Sequence, residues 1–138
     1  KAVASKAGQK DFLVVELKRP NKKIDDDVIS QIKKYAIAVQ EDERFDTNKC
    51  NWKFIAVSNS MDKFAIKTAN EKGRPSGCVY LGDRIEVYVM TWAEVIGNAK
   101  TRLNFYQEQL QYEANEESSK EYLQAMHNKF IPAPLQKQ

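Results

Sequence analysis

Phe12-Leu13-Val14-Val15 is an apolar run rich in β-branched residues, and it closes on Glu16-Leu17-Lys18-Arg19-Pro20. A run of this kind, bounded by a proline, reads as a buried strand. Downstream, Val28, Ile32, Tyr35, Ala36 and Val39 recur at helical spacing, which predicts a helix over about Val28–Gln40 that packs one stripe against a sheet. Asp25, Asp26 and Asp27 suit its positive N-terminal end, and Gln31 lies beside the stripe. Trp52 to Ser58 predicts a second strand after the polar loop Glu41 to Asn51. Strand, helix and strand in this order imply a right-handed parallel crossover with both strands internal.

The signal weakens over Asp62 to Asn70, where a short helix is expected, and Gly73-Arg74-Pro75-Ser76-Gly77 is a turn. Cys78 to Leu81 and Arg84 to Met90 predict a hairpin joined by Gly82-Asp83, with Ile85, Val87 and Val89 sharing one face. Thr91 and Glu94 have the spacing of a capping box. The helix it starts carries Val95, Ile96, Ala99, Leu103, Tyr106 and Leu110 as an apolar stripe over some twenty residues. Ser118 and Glu121 repeat the capping pattern for a last helix to about Lys129, with Tyr122, Leu123, Met126 and Phe130 expected inward. Ile131-Pro132-Ala133-Pro134 stops it, and 132–138 reads as a tail. The sum is a single α/β domain with a mixed sheet flanked by helices, in which 91–131 forms two C-terminal helices.

Composition narrows the class. The 138 residues are 42% apolar and 30% charged, with no apolar run long enough to span a bilayer, so a cytoplasmic protein without membrane contact is expected. A net charge of +3 permits nucleic-acid binding without arguing for it. Cys50 and Cys78 match no metal spacing and read as reduced thiols, with a disulfide as the alternative. His127 is the only histidine, which leaves little for triad chemistry or zinc. Lys1 to Lys10, small, polar and basic, read as a loop continuing from an upstream strand of a longer protein.

The chemistry concentrates at the end of the first strand. Glu16 and Lys18 sit two apart and so share a strand face, where charge must pair, bind a metal or meet a charged ligand. The simplest alternative is an ion pair where the strand meets solvent. Likewise Gln31 alone reads as an exposed helix residue, Tyr35 as a core aromatic with its hydroxyl at the rim, and the neighbouring lysines as a solvated face.

Taken together, Glu16-Leu17-Lys18 on a strand and Gln31-x-x-x-Tyr35 on the following helix resemble the PD-(D/E)XK nuclease superfamily. The resemblance covers Phe12 to about Val39 by motif, and the order of elements fits to about Met90. It implies a restriction-endonuclease-like mixed sheet flanked by helices, with two added C-terminal helices, and metal-dependent hydrolysis of DNA phosphodiesters of restriction or phage-defence type. Glu16, Lys18, Gln31 and Tyr35 would be the catalytic group. Glu16 and the backbone carbonyl of Leu17 would hold Mg²⁺ or Mn²⁺. Arg19, Lys22, Lys23, Lys33 and Lys34 would follow the DNA backbone by charge. The other partners expected are upstream domains of the same protein and a second copy of the chain through the C-terminal helices.

One departure matters. The family's upstream metal-binding aspartate has no counterpart in Lys1 to Lys10, and Asp11, five residues before Glu16, falls on the opposite strand face. The alternatives are therefore a catalytically inactive nuclease-like domain that binds nucleic acid or a partner protein, and a plain interaction module built on the C-terminal helices.

Overall fold

The structure, a computed structural model, describes residues 2–3, 8–110 and 116–128, with side chains for 8–109 and 120–126. Its elements are β1 (Ala2–Val3), β2 (Lys10–Leu17), α1 (Asp26–Gln40), β3 (Cys50–Ser58), α2 (Lys63–Ala69), β4 (Cys78–Gly82), β5 (Ile85–Thr91), α3 (Trp92–Leu110) and α4 (Glu116–Asn128). The chain divides into two compact units, Lys1–Gly97 and Asn98–Gln138. No described helix is long and apolar enough to cross a membrane.

In the first unit the described strands form a mixed five-stranded sheet in the order β1-β2-β3-β5-β4. β2, β3 and β5 run parallel, while β1 and β4 add antiparallel at the two sides. The pairing Phe12↔Trp52↔Ile85, Val14↔Phe54↔Val87 and Glu16↔Ala56↔Val89 places these residues on one face. Helices α1 and α2 cover that face with Val28, Ile29, Ile32, Ala36, Ala65 and Ala69, all buried. At the other end, Phe12 stacks on Trp52 at 4.3 Å, and Phe45 from the loop after α1 meets Trp52 edge-on at 4.9 Å. That cluster pins the start of β2 to β3.

Several expectations change. β1 pairs only with Asp11 and Phe12, so among the described residues β2 beyond Phe12 is an edge strand, not an internal one. Tyr35 is not a core aromatic: it is 54% exposed, and Ile29, one turn before Lys33, takes the buried position beside Val28. The hairpin turn is Asp83-Arg84 instead of Gly82-Asp83, because Gly82 pairs with Ile85 inside the ladder. A Cβ on Gly82 would stand 2.9 Å from Ile85 Cγ2, so glycine serves close packing there. Arg84 takes the positive φ of 57° that the turn requires, held by Trp52 N–H donating to its carbonyl at 2.8 Å.

The capping box forms as expected: Thr91 N–H donates to Glu94 Oε2 at 2.7 Å and Glu94 N–H to Thr91 Oγ1 at 3.2 Å. Burial along the helices does not follow. Ile96, Leu103, Tyr106, Tyr122, Leu123 and Met126 are exposed, whereas Val95 is half-buried; Phe130 and the side chain of Leu110 lie outside the described residues. The sheet's second face is also partly open, with Leu13, Val15 and Leu17 exposed, whereas Val57 and Tyr88 on it are buried.

Gly77 has φ +86°, and a Cβ there would meet the Val89 carbonyl at 3.2 Å. Gly77→Ala is expected to cost about 1–3 kcal/mol in urea denaturation. Burial pushes the Tyr88 phenol up to about 12, with its hydrogen bond to Glu86 Oε2 adding to the shift. The folded chain holds that proton more tightly than the unfolded one, whose phenol keeps the ordinary value of 10.0. Stability contributed by the neutral phenol is complete below that value and is lost as pH rises through about 12, a loss that Tyr88→Phe removes. Equal pH dependence in both proteins over that interval would contradict the burial.

Candidate active site

The site is built where β2 leaves the sheet. Lys18 N–H donates to the Val57 carbonyl at 2.9 Å, which extends the β2–β3 register one residue past the strand. Pro20 then prevents further pairing. The chain crosses the ends of the strands as a pinned loop. Ser58, fully buried at the end of β3, donates its hydroxyl to the Lys22 carbonyl. Ile24, also fully buried, bridges in parallel to Met61, with its N–H on the Ser60 carbonyl at 2.9 Å and its carbonyl accepting from Asp62 N–H at 3.0 Å.

This loop delivers the helix. Asp25 caps α1 by accepting from Val28 N–H at 3.0 Å, and its other oxygen accepts from Lys22 Nζ at 2.9 Å. The hydrogen bond from Lys22 holds the Asp25 carboxyl below its usual range and, in return, raises Lys22. The aspartate run is thus a helix cap, as its position before Val28 suggests.

Helix α1 then runs back over the sheet and brings Gln31 to the end of β2. Lys18 Nζ donates to Glu16 Oε1 at 2.6 Å and to Gln31 Oε1 at 3.1 Å. Two of the ammonium's three hydrogens are accounted for. The Lys18 side chain is only 14% exposed, against 39% for Glu16. Tyr35, one turn beyond Gln31, does not bond this group among the described residues. It stands edge-on to Phe54 at 5.8 Å and lines a cavity of about 410 Å³ with Val14, Glu16, Gln31, Ile32 and Phe54.

The basic residues divide. Arg19 and Lys22 join Lys18, Leu17 and Asn21 around an open depression of about 470 Å³. Lys23 and Lys34 are exposed. Lys33 turns the other way and places Nζ 5.6 Å from the Tyr80 ring centroid on β4. Helical periodicity is the reason: two residues from Gln31 is about 200° around the axis, away from β2.

Metal donors are few. Among the described residues no group of three or more His, Cys, Asp or Glu is placed to hold an ion. The Glu16 carboxylate and the Leu17 main-chain carbonyl are hard oxygen donors, right in kind for Mg²⁺ or Mn²⁺ but short of a second carboxylate. Asp11 does not supply it. Its carboxylate accepts from Asn51 Nδ2 at 2.7 Å, Asn51 in turn accepts from Arg84 Nη1 at 3.2 Å, and the cluster lines a different cavity of about 380 Å³. Cys50 and Cys78 are free thiols, and the His127 side chain lies outside the described residues.

Ser58 is the residue that sequence reasoning passed over. A hydroxyl ending an apolar strand is an ordinary pattern, and only the loop crossing above it reveals its task. With the donor set described, Mg²⁺ binding without nucleic acid is expected to be weaker than about 10⁻⁴ M by calorimetric titration. Tight stoichiometric binding would contradict that, and Glu16→Gln is expected to remove what binding there is. Against protein-family models, curated proteins and solved structures, the chain has no match.

Proposed function

We propose that this chain is a metal-dependent endonuclease domain of PD-(D/E)XK type that hydrolyses DNA phosphodiesters. The observation that carries the reading is the Lys18 ammonium held between Glu16 and Gln31 at the open end of β2. A stabilising ion pair needs neither the glutamine nor the burial, and exposed pairs contribute only about 0–1 kcal/mol. Here three polar groups from a strand and a helix converge beside a cavity and a cationic depression. That convergence is what a reacting phosphate requires.

The residues divide the work. Lys18, whose side chain is only 14% exposed, offers its remaining hydrogen to the attacking water or to charge developing on phosphorus, where a preorganised cation is worth most. Gln31 fixes the ammonium's direction, so that little reorganisation is left for the reaction. Glu16 and the Leu17 carbonyl are the residues that would hold Mg²⁺ or Mn²⁺, which when bound polarises the phosphodiester and acidifies a water. Arg19 and Lys22 would take the flanking phosphates in a salt-sensitive way.

A second reading is a nuclease-like domain of the same restriction-endonuclease-like fold that binds nucleic acid without cutting. Among the described residues Glu16 is not joined by the further carboxylates that a metal site needs, and this favours it. Cleavage of supercoiled plasmid with Mg²⁺ or Mn²⁺ separates the two. Glu16→Ala and Lys18→Ala are each expected to lower the rate at least about a hundredfold with the fold intact. No cutting by the wild type with either metal, while it still binds DNA, would leave the binding domain.

A further inference from the structure

Two depressions lie near the end of β2. One is the cavity of about 410 Å³ walled by Val14, Ile32, Phe54 and Tyr35, with Glu16 and Gln31 at its polar side. The other is the open depression of about 470 Å³ bounded by Lys18, Arg19, Asn21 and Lys22. The 2.6 Å contact between Glu16, which lines the first, and Lys18, which lines the second, ties one wall of each together.

Among the described residues Glu16 is the only charged one lining the first cavity, so an anion is disfavoured beside it, while the aromatic and aliphatic walls suit a flat, neutral group. Tyr35, 54% exposed and without a hydrogen bond among the described residues, presents a ring that nothing described covers fully. In the second depression Lys22 is paired with Asp25, whereas Arg19 makes no ion pair among the described residues and Lys18 keeps a hydrogen to give. A flat neutral group joined to an anion is the chemical outline of a nucleotide.

We infer that the Tyr35 cavity takes an unpaired nucleobase, so that the strand at this site is single-stranded, with the adjoining phosphate on Lys18 and Arg19. A base within a duplex has both faces stacked and cannot offer one to Tyr35. The cavity volume lies within the range of roughly 300–1,000 Å³ typical of small-ligand sites, ample for one base. The inference rests on the reading of Glu16 and Lys18 as a phosphodiester site, and it adds the state of the strand presented to them.

The test is fluorescence anisotropy in EDTA with a labelled oligothymidine and a blunt duplex of equal length, on the wild-type chain and on Tyr35→Phe, Tyr35→Leu and Arg19→Gln. The single strand is expected to bind more tightly than the duplex. Tyr35→Leu should weaken it about 5- to 150-fold, the effect of losing one stacked base, while Tyr35→Phe keeps the affinity. Arg19→Gln should lower the slope of log affinity against log salt by about 0.7, one phosphate contact to a single strand. Matched thermal melts establish that the exposed substitutions leave the fold intact. Tighter duplex binding, no single-strand binding, or equal affinity of Tyr35→Leu and wild type would each overturn the inference; an unchanged salt slope would remove its phosphate half. Plasmid cleavage reports separately on the nuclease reading. Cutting without any Tyr35 effect on the single strand defeats the cavity assignment alone, and a Tyr35-dependent single-strand preference without cutting defeats catalysis alone.

Discussion

The parallel register between β2 and β3, from Lys10↔Cys50 to Leu17↔Val57, is the constraint on which the rest depends. Side chains alternate with period two, so this register decides which residues of β2 lie under α1. Phe12 and Val14 go there with Glu16, and Lys18 follows in phase just beyond the strand. A slip of one residue would set Leu13, Val15 and Leu17 beneath the helix and turn both charges to the opposite face. The aromatic stack of Phe12 on Trp52 opposes such a slip at one end, and the bond from Lys18 N–H to the Val57 carbonyl opposes it at the other.

The site is a product of where that register ends. An acid and a base in the middle of the buried face would require costly desolvation, but at the strand's last residues they reach an open edge. The loop from Arg19 to Asp25 then has to turn the chain within a few residues and place a helix over them. It does so with buried Ile24, the Ser58 hydroxyl on the Lys22 carbonyl, and the Asp25 cap. These contacts fix the helix face on which Gln31 meets Lys18.

The two faces of the sheet are finished differently. One is closed by α1 and α2 over a continuous core, while the other shows Leu13, Val15 and Leu17 to solvent. In the second unit, Leu103, Phe105, Tyr122 and Leu123 are likewise exposed on helices whose periodicity reads as amphipathic. Periodicity states only that a stripe exists; it does not carry the partner that would cover it.

The local elements were legible because their signals are local. β-branched runs, helical spacing, the Asp25 cap and the Thr91–Glu94 box each involve residues within a turn or a strand of one another, and all of these elements form. The pairing of Glu16 with Lys18 was legible for the same reason, since two positions on a strand share a face. What tertiary structure decided is everything that joins distant residues. It made β2 an edge strand beyond Phe12, left Tyr35 at an open cavity while Ile29 took the core, and turned Lys33 toward Tyr80. It moved the hairpin turn to Asp83-Arg84, because packing of Gly82 against Ile85 outweighed glycine's preference for the turn. Hydrogen bonding and periodicity along the chain specify elements, but which neighbour covers a side chain depends on contacts between segments far apart in sequence, and those exist only once the sheet is assembled.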